Sequence, residues 1–260
     1  MTALVASDLD GTLVGHDLII SDRARQAIRD AHRAGVRIVA ATGRGFVSAA
    51  EILAQVPEIT VAICANGACI RDLSTGETVR SWPHVPEVLA RVNAVIAAEY
   101  ADVAMAWEML DGSFEANHRY LDLRPDKAEL WPRAEVDAWP TTGVLKALAR
   151  HPGMPEPDLL AALRVALPDD VTVTSSGYET VEITGAGVDK GTALAWLCAR
   201  WGIDRGEVFA IGDNRNDIAM LRWAGTGFAM GGASTDVVAA ADTTTASIDD
   251  DGAAEVIEQA

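Results

Sequence analysis

Short apolar runs alternate with amphipathic stretches towards both ends of the chain. Near the N-terminus the apolar runs are VAS, VRIVAAT and TVAICAN, and the amphipathic stretches between them are DRARQAIRDAHRAG and FVSAAEILAQV. The C-terminal part repeats this alternation in KGTALAWLCARWG, VFAIG, NDIAMLRWAG, GFAM and STDVVAAA. Runs of this kind, joined by turns that contain glycine, are typical of βαβ units in a parallel sheet with both faces buried. The pattern therefore predicts that both ends form one doubly wound α/β layer.

The pattern changes between about Trp82 and Gly185. This segment has many prolines, one long helical stretch, VPEVLARVNAVIAAEY, and four strand candidates, DVAMAWEML, GVLKALAR, DVTVTSS and TVEIT. Strands grouped with helices in this way indicate an α+β module inserted into the first domain. We therefore expect residues 1–81 and 186–260 to form one domain and residues 82–185 to form a second.

Composition and charge exclude several classes to which this protein could belong. The chain has 260 residues, of which 49% are hydrophobic and 23% charged, as in ordinary globular proteins. No apolar run approaches the roughly 20 residues that span a bilayer, and no signal-peptide pattern is present, so we expect a cytoplasmic protein. The net charge of −17 disfavours nucleic acid and anionic membranes as partners. Cys64, Cys69 and Cys198 lack zinc-site spacing, and we expect them to be reduced and buried.

The motif DLDGTLV follows the first predicted strand and carries two aspartates, Asp8 and Asp10. In open α/β sheets ligands bind beyond the carboxyl ends of the strands. Asp8 could attack phosphorus and form an aspartyl-phosphate. Asp10 could protonate the leaving alkoxide and then deprotonate the attacking water, while Gly11 would let backbone amides face a phosphate. A lone pair of this kind is more often a solvated acidic turn.

Two further motifs could contact a phosphate. Thr42 and the amides of Gly43 and Arg44, in the motif ATGR, stand where a predicted strand gives way to a helix, which favours anion binding. Lys190 stands at the start of an amphipathic helix, where its charge opposes the helix dipole and indicates an anionic partner. Each motif is weak alone, because turns with Thr-Gly and exposed lysines at helix starts are both common.

A second acidic pair, Asp213 and Asp217, follows a third predicted strand in the motif GDNRNDIAML. Together with Asp8 these carboxylates offer the hard oxygen donors that suit Mg²⁺. The metal would offset the repulsion between a dianionic phosphate and an attacking carboxylate.

In this order, the four motifs resemble those of the haloacid dehalogenase (HAD) superfamily. The resemblance is strongest to the Cof-type branch of phosphatases, in which an α/β cap is inserted between the second and third motifs; ICANGA at 63–68 and the terminal DDGAAEVIE are also similar to that branch. It implies a Rossmann-like core with a parallel sheet and an inserted cap that determines substrate specificity. It further implies a Mg²⁺-dependent phosphatase that acts on a small phosphomonoester, such as a sugar phosphate, through phospho-Asp8.

The resemblance also implies roles for individual residues. Asp8 would be the nucleophile and a metal ligand, Asp10 the acid and base with its carbonyl on the metal, and Asp213 a further metal ligand. Asp217 would orient Lys190 or a metal-bound water from outside the ligand shell. The residues on the phosphate side would be Gly11, Thr42, Gly43, Lys190 and Asn216. Arg215 departs from the family pattern, since a smaller or acidic residue is more usual there, and would change the charge at the rim of the site.

Other functions stay open at this point. A phosphotransferase or mutase could use the same aspartyl-phosphate, and a non-catalytic, phosphate-responsive protein could carry the same acidic, Thr and Lys groups. Asp10 and the strand-rich insert favour hydrolysis, because Asp10 promotes turnover and the mutases of the superfamily carry a smaller helical cap. A dinucleotide-binding enzyme is disfavoured, because no GxGxxG follows the first strand.

The inserted segment offers only weak candidates for contacts with the leaving group. With Arg44 from the core, the candidates are Trp107, Glu108, His118, Arg119 and Lys146. Tryptophans at 82, 107, 131 and 139 more often serve packing, and the histidines show no ligand spacing. We expect a monomer, because the cap would already cover the active site.

Overall fold

The protein is represented by a computed structural model that describes residues 2–125, 139–177 and 179–260. Trp131 lies outside these residues. The strands are β1 (Leu4–Ser7), β2 (Arg37–Ala41), β3 (Val61–Cys64), β4 (Cys69–Asp72), β5 (Thr78–Ser81), β6 (Ala104–Met109), β7 (Phe114–Ala116), β8 (Val144–Arg150), β9 (Val171–Ser175), β10 (Val181–Gly185), β11 (Val208–Gly212), β12 (Thr226–Ala229) and β13 (Thr243–Thr244). The helices are α1 (Asp22–Arg33), α2 (Phe46–Leu53), α3 (Pro86–Glu99), α4 (His118–Leu123), α5 (Glu156–Ala166), α6 (Lys190–Trp201), α7 (Ile218–Trp223), α8 (Thr235–Val238) and α9 (Gly252–Glu258).

The first compact unit comprises Met1–Arg80 and Asp189–Ala260 and contains the larger sheet. Its strand order is β13-β12-β11-β1-β2-β3-β4-β5, and the neighbours from β13 to β3 are parallel. All four residues of β1 are buried, as its apolar sequence predicts for a central strand of a sheet covered on both faces. In α1 the apolar residues Ala24, Ala27 and Ile28 lie in the hydrophobic core together with Ala253 and Ile257 of α9.

The register places three strand ends side by side. Ser7 of β1 pairs with Ala40 of β2 and with Ile211 of β11. The residues that follow these strands therefore emerge at the same end of the sheet, where open α/β folds bind ligands.

The second unit, Ser81–Val188, contains an antiparallel sheet in the order β7-β6-β8-β10-β9. Helices α3 and α5 contribute leucines to a core that includes Trp107 and Ile183. Helix α4 contributes Tyr120 and Leu121 to a separate apolar cluster with Leu148. Alternation along each strand thus gives the sheet two different faces.

The predicted fold class is confirmed, because a mostly parallel α/β sheet is accompanied by a second, antiparallel sheet. The hairpin of β4 and β5, the short strand β7 and helix α4 were not predicted. Their sequences are short, and β5 has no fully buried residue, so they carry little apolar periodicity. Among the described residues, none of the helices is both long enough and apolar enough to cross a membrane.

Candidate active site

Lys190 joins two of the predicted acidic motifs. Its Nζ donates hydrogen bonds to Asp8 Oδ1 and to Asp217 Oδ1, each at 2.7 Å, and its side chain is fully buried. Burial lowers the pKa of this amine, but the charges of Asp217 and Asp8 outweigh that effect and hold the pKa above its ordinary value. Lys190 is therefore a buried ammonium group paired with two carboxylates.

Local structure explains how a lysine comes to begin a helix here. The side chain of Asp189 caps α6 by accepting from Thr192 N at 2.7 Å, which satisfies one amide of the first turn. A Cβ on Gly191 would lie only 2.6 Å from the backbone of Ala219, so this glycine permits the close approach of α6 and α7. That approach brings Lys190 next to the loop that precedes α7.

Three carboxylates meet beside this lysine. Asp8, Asp213 and Asp217 each offer an oxygen within 4.8 Å of the others. Burial first, and then the charge of Asp217, raises the pKa of Asp8 well above its ordinary value and that of Asp213 to about 6. A single lysine thus compensates only part of the negative charge, which favours an added cation.

The partners of Asp217 distinguish it from the other two carboxylates. Its Oδ1 accepts from Lys190, and its Oδ2 accepts from the backbone amides of Asp213 and Asn214 at 3.1 and 3.0 Å. Both oxygens are engaged by protein donors, so Asp217 organises the loop. The role of Asp217 outside the ligand shell stays a prediction.

Gly11 and Thr12 shape the surroundings of Asp213. Gly11 has φ +81°, and a Cβ there would lie 2.4 Å from Asp213 Oδ2. Thr12 donates from its hydroxyl to Asp213 Oδ1 at 3.2 Å. The turn after β1 therefore contacts the loop after β11 directly, and Thr12 was not among the predicted site residues.

Arg44 forms an ion pair with Asp10, the predicted acid and base. Its Nε and Nη2 donate to the two carboxylate oxygens of Asp10 at 2.7 and 2.5 Å, and its Nη1 donates to Ser48 Oγ at 2.9 Å. Such a two-pronged ion pair fixes the orientation of a carboxylate. Arg44 was predicted as a substrate contact, whereas in this structure it binds Asp10.

Thr42 is fully buried at the end of β2. Its hydroxyl accepts from Arg44 N at 3.0 Å, and α2 begins only at Phe46, after Gly45. The predicted helix N-terminus therefore starts later than expected, and Thr42 and Gly43 belong to the connecting loop.

Comparison with known protein families identifies the family of this chain. The sequence family described as haloacid dehalogenase-like hydrolase matches residues 5–257. The chain belongs to the haloacid dehalogenase-like hydrolases. The resemblance carried by the four motifs is thereby confirmed.

Relatives of this HAD hydrolase are named phosphatases. It is 28% identical, over 98% of its length and 94% of the relative's, to the 5-amino-6-(5-phospho-D-ribitylamino)uracil phosphatase YcsE of Bacillus subtilis. It is 29% identical, over 92% of both chains, to the pyridoxal phosphate phosphatase YbhA of Escherichia coli. The solved structure of the HAD subclass IIB sugar phosphatase BT4131 has a TM-score of 0.84 at 25% identity and covers 99% of this chain and 98% of its own. These findings confirm the predicted class of enzyme, a phosphoric monoester hydrolase.

The candidates in the second unit of this HAD hydrolase do not form one site. Trp107 is fully buried in an apolar core, which argues against a contact with the leaving group. His118 and Arg119 are exposed at the start of α4. Arg119 donates to Ala101 O and lies 3.5 Å from Asp102.

Glu108 and Lys146 belong instead to a buried charge cluster. Lys146 Nζ donates to Glu182 Oε1 at 2.6 Å and lies 3.9 Å from Glu108 Oε2. Within the described part of the chain, neither oxygen of Glu108 has a hydrogen-bond partner. Burial, opposed by Lys146 and assisted by Glu182, raises the pKa of Glu108 to about 7.

We expect this cluster to make stability depend on pH. Because the folded pKa of Glu108 exceeds its unfolded value, the folded state retains a proton that the unfolded state loses, and stability falls as pH rises from about 4.5 to 7. Glu108→Gln mimics the protonated form and should remove this fall, which amounts to about 2.5 kcal/mol between pH 5 and 8. Thermal unfolding of the wild type and of Glu108→Gln over this pH range tests the prediction. Relative to their values at pH 5, the Tm of the wild type at pH 8 should have fallen by at least about 5 °C more than that of the variant.

Glu182→Gln is the matched control, because it removes the hydrogen-bonded partner of Lys146. This variant should be less stable than the wild type throughout the pH range. Parallel pH profiles for Glu108→Gln and the wild type would contradict the prediction.

Proposed function

We propose that this HAD hydrolase is a Mg²⁺-dependent phosphatase that hydrolyses a small phosphomonoester through a phospho-Asp8 intermediate. The observation that carries the proposal is the buried contact of Lys190 with Asp8 and Asp217 at 2.7 Å, beside Asp213. It combines a carboxylate nucleophile, a fixed positive charge for phosphate oxygens and further carboxylates for a cation. The names of the relatives support hydrolysis as the reaction.

The residues present fit a magnesium ion. Asp8 and Asp213 supply hard oxygen donors, and burial together with the charge of Asp217 raises the pKa of both carboxyl groups. We propose that these two carboxylates and the backbone carbonyl of Asp10 hold the ion, while Asp217 stays bound to Lys190 and to the loop amides. When bound, Mg²⁺ neutralises charge on the phosphate and the carboxylates so that they can approach each other.

In the first step the Asp8 carboxylate attacks phosphorus, and the bond from phosphorus to the leaving oxygen breaks. Asp10 gives a proton to that oxygen. Asp10 then takes a proton from water, the water oxygen attacks phosphorus, and the bond between phosphorus and Asp8 breaks to release phosphate. Because Asp10 is paired with Arg44 in the structure, its carboxyl group has to exchange this partner for the leaving oxygen.

The substrate class follows from the reaction and from the relatives. Their names specify leaving groups as different as a ribitylaminouracil, pyridoxal and a sugar. We therefore propose a small phosphorylated metabolite, with the inserted unit, residues 82–185 by the sequence pattern, selecting the leaving group.

Phosphate release from a panel of sugar phosphates, pyridoxal phosphate and other phosphomonoesters tests this proposal. We expect release with Mg²⁺ and none with EDTA. No Mg²⁺-dependent release from well-folded protein across the panel would contradict it. Transfer of label to a second hydroxyl faster than to water would indicate a phosphotransferase or mutase, and a phospho-Asp8 that lasts many minutes would indicate a phosphate-responsive protein.

Asp10→Asn is expected to separate the two chemical steps. For an alkyl phosphate the variant should lose about 10²–10⁴-fold in turnover, because the leaving alkoxide receives no proton. With p-nitrophenyl phosphate the leaving group needs no proton, so the first step should be retained while hydrolysis of phospho-Asp8 is slowed. Rapid mixing should then show a burst of about one nitrophenol per enzyme molecule. Equal losses for both substrates without a burst would speak against Asp10 as acid and base.

A further inference from the structure

The connection between β3 and β4 is a tight loop, Ala65–Gly67, that touches the motif after β2. Ala65 N donates to Arg44 O at 2.9 Å, and Asn66 N donates to Thr42 O at 3.1 Å. All three loop residues are buried. The backbone of the loop is therefore bonded to the segment that carries the proposed phosphate ligand Thr42.

The same loop reaches two other motifs. Asn66 Oδ1 accepts a hydrogen bond from Asn216 Nδ2 at 3.0 Å, although the two residues lie 150 positions apart in sequence. A Cβ on Gly67 would lie 2.1 Å from the carbonyl oxygen of Asp189, the residue that precedes Lys190. The loop thus contacts the segments that carry Thr42, Lys190 and Asn216.

Its backbone is in an unusual conformation. Ala65, Asn66 and Gly67 have φ of 51°, 55° and 97°, three successive residues in the left-handed region. Alanine disfavours this region, asparagine tolerates it and glycine adopts it freely. Strain of this kind persists where the surrounding contacts hold it, and it is concentrated at functional sites.

Asn216 connects the loop to the charged centre. It stands directly before Asp217 in the turn Arg215–Asp217, and Asp217 holds both Lys190 and the amide of Asp213. Asn216 Oδ1 is buried and, in the described part of the chain, has no hydrogen-bond partner. Its hydrogen bond to Asn66 is therefore the side-chain contact that fixes this amide.

We infer that Asn66 is a positioning residue for the proposed hydrolysis. Its side chain holds the turn that carries Asn216 and Asp217, and its backbone holds the segment after β2, so that the segments bearing Thr42, Lys190 and Asp213 keep one arrangement. The inference rests on the proposed function and deepens it, because Asn66 acts on groups that bind phosphate and metal without touching either.

Asn66→Gly tests the inference, because glycine accepts the φ of 55° while removing the side-chain amide. We expect kcat to fall about 10–100-fold and the Mg²⁺ concentration for half-maximal activity to rise about tenfold, with KM for the substrate changed less than about threefold. The rise in Tm on adding Mg²⁺ should shrink accordingly. This second readout needs no turnover. A purely structural role would lower Tm without altering the response to Mg²⁺.

A double-mutant cycle with Asn216→Ala shows whether Asn66 acts through Asn216. If it does, adding Asn66→Gly to Asn216→Ala should lower kcat little beyond the value of Asn216→Ala alone. Losses in kcat that multiply in the double variant would overturn the inference.

The variant Asn66→Asp keeps the acceptor oxygen. Its kcat should stay within about tenfold of the wild type, which is the smallest loss expected for Asn66→Gly. Wild-type kcat and Mg²⁺ response in Asn66→Gly would overturn the inference as well. No release by the wild type would instead refute the proposed function, and the Mg²⁺ shift in Tm would still test Asn66.

Discussion

Asp8→Asn is expected to abolish phosphate release while leaving the fold intact. The substitution removes the nucleophile, so the aspartyl-phosphate cannot form, and turnover should fall by at least about 10³-fold, or about 4 kcal/mol in activation free energy. Stability should not fall, because burial and the charge of Asp217 raise the pKa of Asp8 and make its ionised form costly in the folded state. Above neutral pH the neutral amide should therefore be tolerated at least as well as the carboxylate.

Two measurements check this pair of outcomes. Phosphate release from the best substrate of the panel reports the activity, and urea unfolding at pH 8 reports the free energy of unfolding. Residual turnover within tenfold of the wild type would refute Asp8 as the nucleophile. A clear loss of stability would show that the carboxylate, despite its burial, stabilises the folded state.

Lys190→Met is expected to cost both activity and stability. Methionine has nearly the same length but no charge, so Asp8 and Asp217 each lose a hydrogen bond of 2.7 Å inside the protein. Removing one partner of a buried charge group leaves the others uncompensated, which typically destabilises a protein by about 3–5 kcal/mol. Catalysis should be lost together with the contact to the nucleophile.

The double variant Asp8→Asn/Lys190→Met is the matched control for this effect. It removes one of the uncompensated carboxylates and should recover part of the stability lost in Lys190→Met, as measured by urea unfolding at pH 7. The loss in Lys190→Met should also shrink at low pH, where the carboxylates bind protons. A single variant within about 1 kcal/mol of the wild type would contradict the prediction.

The sequence pattern predicted those site residues whose position follows from an adjacent strand or helix. Asp8, Thr42 and Asp213 each follow an apolar strand, and in a parallel sheet the ends of such strands converge, so their proximity follows from the strand assignments. Lys190 was identifiable because a lysine at a helix start opposes the dipole. Each of these signals is contained in a few consecutive residues of the sequence.

Contacts between distant segments were beyond this reasoning. The ion pair of Arg44 with Asp10 and the amide pair of Asn66 with Asn216 depend on side-chain geometry across 34 and 150 positions. For Asn66 a local signal existed, since Asn-Gly is a typical left-handed turn sequence, but it does not reveal what the side chain binds. The burial of Trp107 likewise depends on which face of β6 packs against α3 and α5.

The central position of β1 has a consequence for biosynthesis. This strand pairs with β2 on one side and with β11, about two hundred residues later in the chain, on the other. While the ribosome is still producing the middle of the protein, the β11 side of this largely apolar strand has no partner and is open to wrong pairing. We therefore expect nascent chains of this protein to pass through an aggregation-prone interval, which ends when the segment that carries Asp213 emerges and β11 can pair with β1.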